Sequence, residues 1–238
     1  MIIKVCGMRD AENIREVEKL ADELPTFNSQ LSTFNSQLST LNSQLSSLWM
    51  GFIFWPKSSR YVCERPAYLP QKIKKVGVFV DATINDITQK VQDYGLDIIQ
   101  LHGHESPAFI KELSTHFSPC SNSVGGRDGV FFIKAFNIAT KEDFEATKPY
   151  EGLVDYFLFD AKAQLPGGNG QQFDWSVLAD YVGETPFLLS GGIGPDDAER
   201  VKSFHHPRCI GIDLNSRFEI APALKAINKL KEFIEKVR

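Results

Sequence analysis

The chain has 238 residues, which is enough for one large α/β domain or two small ones. Its apolar content of 42% and charged content of 24% are ordinary for a soluble globular protein. The net charge of −4 and the lack of a Lys/Arg cluster give no electrostatic reason to expect nucleic acid as a partner, and no apolar run reaches the length of a membrane span.

The four cysteines, Cys6, Cys63, Cys120 and Cys209, are far apart and form neither a CxxC pair nor a zinc spacing. The first ten residues, MIIKVCGMRD, begin directly with a strand-like stretch and contain no apolar core of a signal peptide. We therefore expect a reduced, cytoplasmic protein.

Eight short runs of apolar and β-branched residues are predicted as strands. Most of them are apolar on both faces, as expected of strands in a buried parallel sheet. In chain order they are 2–6, 48–54, 75–80, 97–101, 130–136, 156–160, 187–190 and 209–214.

Helical patterns fall between these strands and after the last one. They cover 10–23, 84–94, 106–115, 140–147, 174–181, 195–203 and 221–237. The segment 62–72 contains two prolines and is too short for a full helix.

Eight strands, each followed by a helix or its remnant, predict a single α/β domain over 1–238, a (β/α)8 TIM barrel with a shortened second helix. A doubly wound open sheet is the alternative, but it has less need of eight strands. The spacing leaves no room for a second domain. In a barrel, the chemistry belongs to the loops that follow the C-terminal ends of the strands.

Several strand ends carry polar residues suited to catalysis. Cys6 ends the first strand, and a thiolate near cationic groups can be a base or a nucleophile, although a lone cysteine is often a small core residue. Asp160 ends the sixth strand, where it can be a general acid if desolvation raises its pKa, or a cap or ion-pair partner. Arg60 is suited to bidentate binding of a carboxylate, although it can also be a solvated charge in a loop. Gln100 and His102 lie at the end of the fourth strand.

Two loops suit a phosphate group. The seventh strand runs into SGGIGPDD, where Gly191 and Gly192 permit a close approach to the backbone and the following helix start supplies free N–H groups. The eighth strand ends in DLNSRFE, with Asp213 and Ser216. Barrels commonly bind phosphate in this pair of loops. The alternative is that the glycines only form a turn, followed by a residue that caps the helix. The HGH sequence at 102–104 has no accompanying ligands, so no metal site is expected.

Seven segments occur together in a characteristic order. They are KVCGMRD, GFIFWPKSSRYV, VGVFVD, IIQLHGHE, FDAKAQLPGGNGQQFDW, LLSGGIGPDD and GIDLNSRFE. The set resembles the phosphoribosylanthranilate isomerase family of tryptophan biosynthesis, over nearly the whole chain except residues 26–46 and a loop near 118–128. The resemblance implies a cofactor-free Amadori rearrangement, an aldose–ketose isomerisation of N-(5-phosphoribosyl)anthranilate to 1-(2-carboxyphenylamino)-1-deoxyribulose 5-phosphate.

The resemblance also implies roles for individual residues. Asp160 matches the family's general acid, which protonates the furanose ring oxygen. Cys6 matches the general base, which removes the C2′ proton. Arg60 matches the residue that binds the anthranilate carboxylate. Substrate binding further falls to Gln100, His102, Gly191, Gly192, Asp213 and Ser216.

The chain departs from the family pattern in two loops. Arg217 replaces a glycine of the usual SSGVE segment after the eighth strand and could add a phosphate contact, and Ser59 replaces a usual proline. Two other functions stay open: another sugar-phosphate barrel enzyme, such as indole-3-glycerol-phosphate synthase or an epimerase, and a non-catalytic barrel that self-associates. Either a monomer or a homodimer is compatible with the sequence.

A polar heptapeptide occurs three times between the first helix and the second strand, as TFNSQLSTFNSQLSTLNSQLS over residues 26–46. Its apolar residues have the spacing of a coiled coil, but Ser, Thr, Asn and Gln are poor helix formers. Loops that lead from a helix to a strand lie on the barrel face opposite the active site. We predict a tolerated insertion, either a disordered loop or an extension of the first helix, because doubling a loop's length costs only about 0.6 kcal/mol.

Deletion of residues 26–46 is expected to leave turnover unchanged, because the insertion is predicted on the face away from the chemistry. The measurement is kcat of the shortened and full-length chains, with circular dichroism to verify the fold. A large fall in kcat in a correctly folded deletion variant would contradict the prediction.

Overall fold

The computed structural model describes residues 1–23, 47–117, 129–161 and 174–237. In these residues, parallel strands pair in chain order, and the last returns to the first to close a barrel. The strands are β1 (Ile2–Cys6), β2 (Leu48–Ile53), β3 (Lys74–Phe79), β4 (Ile98–Leu101), β5 (Phe131–Ile138), β6 (Tyr156–Ala161), β7 (Phe187–Ser190) and β8 (Cys209–Leu214). The predicted (β/α)8 barrel is confirmed. The repeat at 26–46 lies outside the described residues.

The α-helices cover the outside of the barrel. They are α1 (Ala11–Lys19), α2 (Ile84–Tyr94), α3 (Pro107–Thr115), α4 (Ala198–Ser203) and α5 (Ile227–Lys236). Side-chain caps explain where the first three begin: Asp10, Thr83 and Ser106 each accept a hydrogen bond from a backbone N–H of the first turn. Among the described residues, no helix is long and apolar enough to cross a bilayer.

Three predicted helices differ from the observed ones. Segments Lys141–Tyr150 and Trp175–Asp180 are 3-10 helices, and α4 follows a 3-10 turn at Pro195–Asp197. Over two turns, periods of 3.0 and 3.6 residues produce nearly the same apolar pattern, so the sequence does not separate them. The residues that join β2 to β3 form turns and bends.

The last helix was predicted to begin at residue 221, which is wrong. A small antiparallel pair, β9 (Glu219–Ala221) and β10 (Leu224–Lys225), precedes α5. Pro222 and Ala223 form the turn between them, and Ala223 has a left-handed φ of 67°. This hairpin carries two charged residues, Glu219 and Lys225, back to the barrel rim.

The strand pleat sends alternate side chains into the barrel, and this alternation positions the site. An apolar cluster fills the barrel interior: Trp49, Val76, Ile98, Ile133, Ala135, Leu158 and Leu188. Side chains two residues apart on a strand share a face. Gln100 therefore points into the barrel like Ile98 on β4, and Asp160 points into it like Leu158 on β6. Polar residues therefore begin where the apolar filling ends, at the C-terminal mouth.

A buried ion pair fastens the loops after β3 and β4 to each other. The Lys134 ammonium lies 3.3 Å from the Glu105 carboxylate and donates to the carbonyl of Gly103 at 2.8 Å. Glu105 also accepts the backbone N–H groups of Asp81 and Gly103, each at 2.9 Å. Burial lowers the pKa of Lys134, with Glu105 opposing that effect. The pair holds the backbone next to His102 in place.

Candidate active site

A pocket of about 530 Å³ opens at the C-terminal mouth of the barrel. All predicted site residues except Arg60 line it: Cys6, Gln100, His102, Asp160, Gly191, Gly192, Asp213 and Ser216. Ile53, Val78, Val80 and Trp55 form an apolar wall. The pocket therefore offers a flat apolar surface beside a thiol and two carboxyl groups.

Cys6 ends β1 with its side chain 4% exposed, and Gly51 of the neighbouring strand makes room for it. A Cβ atom on Gly51 would lie 2.8 Å from the Cys6 sulfur, closer than such atoms approach. Burial raises the pKa of the Cys6 thiol, and the nearby Lys4 ammonium opposes this effect. The net effect is an upward shift of the Cys6 pKa, which favours the neutral thiol at pH 7.

Lys4 lies two residues before Cys6 on the same strand and was not predicted as a site residue. Its side chain is fully buried, and its ammonium donates to Asp213 at 2.9 Å. Burial acts to lower the pKa of Lys4, but Asp213 and Cys6 outweigh it and raise the pKa overall. A signal was present in the sequence, because a lysine interrupts the apolar run IIKVC on the face that carries Cys6.

Asp160 lies at the end of β6, between Asn137 of β5 and Ser190 of β7 in the strand register. Both neighbours also line the pocket. β7 and β8 separate β6 from β1, so the carboxyl of Asp160 and the thiol of Cys6 enter the pocket from different sides. A substrate between them has one titratable group on each side.

Gln100 of β4 and His102, which follows the end of β4, form a pair on the pocket wall. The Gln100 amide nitrogen lies 3.3 Å from Nδ1 of His102. Gln100 is 1% exposed, and its Oε1 has no hydrogen-bond partner within the described chain. A buried acceptor without a donor is costly, so this oxygen is suited to a hydroxyl or N–H group of a ligand.

Arg60 does not line the pocket, in contrast to the other predicted residues. Its guanidinium makes a bidentate contact with Glu219, with Nε to Oε1 at 2.8 Å and Nη2 to Oε2 at 2.6 Å. The hydrogen bonds that Arg60 donates to Glu219 raise the pKa of Arg60. Glu219 also accepts from the buried Lys225 ammonium at 2.7 Å, and Lys225 donates to Oδ1 of Asn215 at 2.9 Å.

These contacts define a charge cluster of Arg60, Glu219 and Lys225. The sequence prediction missed its last two members. Residue 225 was assigned to a helix, and Glu219 is 159 positions away from its arginine along the chain. No local pattern signals such a pairing.

The loops after β7 and β8 face each other across one side of the pocket. Gly191 and Gly192 have φ values of 102° and 65°, which side-chain-bearing residues rarely adopt. Their backbone N–H groups have no acceptor among the described residues. Opposite them lie Ser216 and Arg217. The two loops present donors to the space between them, as a phosphate requires.

One of the N–H groups that the sequence predicts to be free at the helix start after β7 has an acceptor. The Gly194 N–H donates to the Asp197 carboxylate at 2.7 Å, so this donor is already capped. Asp196 adds a second negative charge to the same turn. A positive group comes instead from Arg217, whose Cδ lies 3.3 Å from the position of a Cβ on Gly194. Within the described chain, the Arg217 guanidinium makes no ion pair.

Within the described ranges, no group of three or more His, Cys, Asp or Glu side chains is arranged to hold a metal ion. The second histidine of HGH, His104, contacts Asp81, with Nδ1 3.1 Å from the carboxylate.

Comparison with known proteins assigns the chain to a family. A family model described as N-(5'-phosphoribosyl)anthranilate (PRA) isomerase matches residues 30–236. The protein named N-(5'-phosphoribosyl)anthranilate isomerase from Parabacteroides distasonis is 49% identical, with 100% of this chain and 93% of the relative covered. The chain belongs to the PRA isomerase family. A protein of the same name from Phocaeicola vulgatus is 41% identical, over 99% of this chain and 100% of the relative.

Solved structures of PRA isomerases share the barrel. The enzyme from Thermotoga maritima superposes with a TM-score of 0.69 at 23% identity, over 100% of this chain and 98% of that one. A PRA isomerase in complex with reduced 1-(o-carboxyphenylamino)-1-deoxyribulose 5-phosphate has a TM-score of 0.66 at 22% identity, with the same coverage. At these identities, the likeness supports the fold. Membership of the PRA isomerase family rests on the closer sequence relatives.

Substitution Gly51→Ala is expected to lower kcat/KM by about 100-fold, because the new methyl group displaces the Cys6 sulfur and small misplacements of reacting groups are costly. The matched control is Gly77→Ala, whose Cβ would meet Leu96 at 2.4 Å on the outer face of β3. The control should lower the melting temperature and leave kcat/KM of the folded protein unchanged. Equal kinetic losses in both variants would contradict the role of Gly51.

Proposed function

We propose that the chain converts N-(5'-phosphoribosyl)anthranilate to 1-(2-carboxyphenylamino)-1-deoxyribulose 5-phosphate, as an isomerase of tryptophan biosynthesis. The observation that carries this proposal is one pocket with Cys6 and Asp160 on different sides and donor-rich loops along its edge. The 49% identity with an enzyme of that name, over the whole chain, supports the same activity.

Asp160 is the proposed general acid of the first half-reaction. Its carboxyl group donates a proton to the furanose ring oxygen, and the bond from that oxygen to C1′ breaks. The electron pair of the anilino nitrogen forms a C=N bond, so an open-chain iminium results while Asp160 becomes a carboxylate. Asp160 lies directly above an apolar interior row of the barrel, with its side chain at the pocket.

Cys6 is the proposed general base of the second half-reaction. Its thiolate removes the C2′ proton, and the released electron pair neutralises the iminium to give an enolamine. Proton transfer from the C2′ hydroxyl and to C1′ then completes the ketone product. Because burial raises the pKa of Cys6, only a small thiolate fraction is present at neutral pH, and the rate is expected to rise with pH as the thiol ionises.

The substrate carboxylate is assigned to Arg60 through the open side of its guanidinium. Glu219 occupies Nε and one edge of Nη2, and Nη1 makes one long hydrogen bond to Ser59 Oγ at 3.4 Å. The second N–H of Nη1 and the remaining N–H of Nη2 are left for the anthranilate carboxylate. Glu219 thus holds the guanidinium plane in one orientation, which is what bidentate recognition needs. The apolar wall at Ile53, Val78 and Trp55 suits the aromatic ring.

The sugar phosphate is assigned to the other side of the pocket. Gly191, Gly192 and Ser216 supply the donors, and Arg217 supplies a positive charge. Asp213 was expected in this phosphate site, but its carboxylate is paired with Lys4 and would repel a phosphate. We therefore assign Asp213 to the ribose end of the substrate, where the Gln100 oxygen accepts a hydroxyl or N–H hydrogen.

The proposed function also bears on binding partners, oligomeric state and cellular location. A small phosphorylated substrate is the only partner that the pocket requires, and a monomer or a homodimer is compatible with it. A PRA isomerase from Thermotoga maritima is described as dimeric. Cys6, Cys63 and Cys209 are free thiols, which agrees with a reducing cytoplasm.

Loss of phosphoribosylanthranilate fluorescence on addition of the purified chain tests the reaction. Asp160→Asn and Cys6→Ala are each expected to lower kcat by about 100- to 10,000-fold, the range of a lost general acid or base. Cys63→Ala is the matched control, because this thiol is exposed and outside the pocket. A folded wild type without activity would refute the reaction, and a fully active Cys6→Ala would refute the proposed base.

Arg217→Gly is expected to raise KM about fivefold with kcat unchanged, since an exposed ion pair contributes ~1 kcal/mol. Arg217→Lys keeps the charge and should stay near the wild-type KM. Because salt screens an exposed charge, the difference between the two variants should shrink as ionic strength rises. An unchanged KM in Arg217→Gly at low salt would exclude a phosphate contact.

A further inference from the structure

Lys4 is a charged residue at a position where a barrel normally has an apolar one. Interior positions of such barrels are dominated by branched apolar side chains. Lys4 is fully buried within this interior, and burying an ammonium costs several kcal/mol even after relaxation. A well-packed apolar pair is often no less stable than a buried ion pair, so stability alone gives no reason for Lys4 and Asp213.

The surroundings of Lys4 connect it to the thiol. Lys4 and Asp213 are direct partners in the pairing of β1 with β8, and their side chains meet at 2.9 Å. Cys6 follows two residues later on the same face of β1, so the buried ammonium lies within electrostatic range of the thiol. Asp213 also lines the pocket.

We propose that Lys4 is a positioning residue for the reaction, whose buried ammonium, held by Asp213, stabilises the thiolate of Cys6. This inference rests on the proposed role of Cys6 as the base. Lys4 is absent from the pocket lining, so it acts on the substrate through Cys6.

Other charges also face Cys6, and they do not replace Lys4. Asp213 on β8 disfavours the thiolate, whereas Lys225 on β10 favours it. Arg60, in the loop after β2, lies within electrostatic range of the thiol as well. Glu219 pairs with both Arg60 and Lys225 and offsets part of their charge. Lys4 is therefore the cation that most strongly opposes the effect of burial on the pKa of Cys6.

Loss of Lys4 is expected to change the pH dependence of the reaction. Removal of the ammonium withdraws stabilisation from the thiolate, so the pKa of Cys6 moves further upward. Below that pKa, each unit of increase lowers the thiolate fraction tenfold. A base defect of this kind is recovered at high pH, whereas a packing defect is not.

The test compares Lys4→Met with Lys4→Arg. Methionine keeps the length of the lysine stem without the charge, and arginine keeps the charge. In Lys4→Met, kcat/KM at neutral pH should fall at least tenfold, and the rising limb of its pH profile should move up by at least one unit. Lys4→Arg should retain the wild-type position of that limb. A uniform loss in Lys4→Met, with an unmoved profile, would overturn the proposal.

A second measurement separates this inference from the proposed function. The ultraviolet absorbance of thiolate is titrated in each variant and in the same variant carrying Cys6→Ala, so that the difference reports Cys6 alone. The pKa of Cys6 should rise in Lys4→Met whether or not the chain isomerises the proposed substrate. An unmoved Cys6 titration refutes the role of Lys4, while an inactive wild type refutes only the proposed function.

Lys4→Met leaves the buried Asp213 carboxylate without its partner and can fail to fold for that reason. The double variant Lys4→Met/Asp213→Asn removes both charges at nearly constant volume. Lys4 affects the pKa of Cys6 more strongly than Asp213 does, so the thiol of the double variant should still titrate above the wild type. A wild-type or lower value would overturn the proposal.

Discussion

The register between β1 and β8 is the constraint on which the rest of the site depends. It closes the barrel and pairs Ile2 with Gly211 and Lys4 with Asp213. The close approach needs a glycine, because a Cβ on Gly211 would lie 2.3 Å from the Ile2 carbonyl oxygen. A shift of one residue would turn Lys4 and Cys6 to the outer face. The same hydrogen bonds that close the sheet therefore orient the thiol.

Charge inside the barrel mouth is compensated in separate clusters. Lys4 and Asp213 neutralise each other beneath the pocket, and Glu219 lies between Arg60 and Lys225 at its edge. The pair of Lys134 and Glu105 lies outside the barrel wall, under the loops after β3 and β4. Each of the buried charges in these clusters has a partner within ion-pair distance, as low polarity demands. The groups proposed to change protonation during the reaction are thus surrounded by charges that stay fixed.

Much of the fold could be predicted from the sequence because barrel strands are short, apolar and regularly spaced. The strand ends then indicated Cys6, Asp160 and the two glycines, and all of them line one pocket. Arg60 shows the limit of this reasoning, because its orientation depends on a carboxylate 159 positions away. Lys225 was missed because a hairpin replaces the first turns of a predicted helix. The ends of strands can be located from the spacing of apolar runs in the sequence. Side-chain pairs between distant parts of the chain produce no such pattern.

The hairpin of β9 and β10 has a consequence for how such an enzyme can diversify. It is an addition to the eightfold strand–helix unit, and it contributes Glu219 and Lys225 to the cluster that orients Arg60. Loss of the arginine alone would leave a buried carboxylate beside a single lysine, and loss of the carboxylate alone would leave two cations facing each other. A change in the acidic group that we assign to Arg60 therefore requires concerted replacements in the loop after β2 and in the hairpin. β6 and β1, which carry the proposed acid and the proposed base, can remain the same throughout such a change.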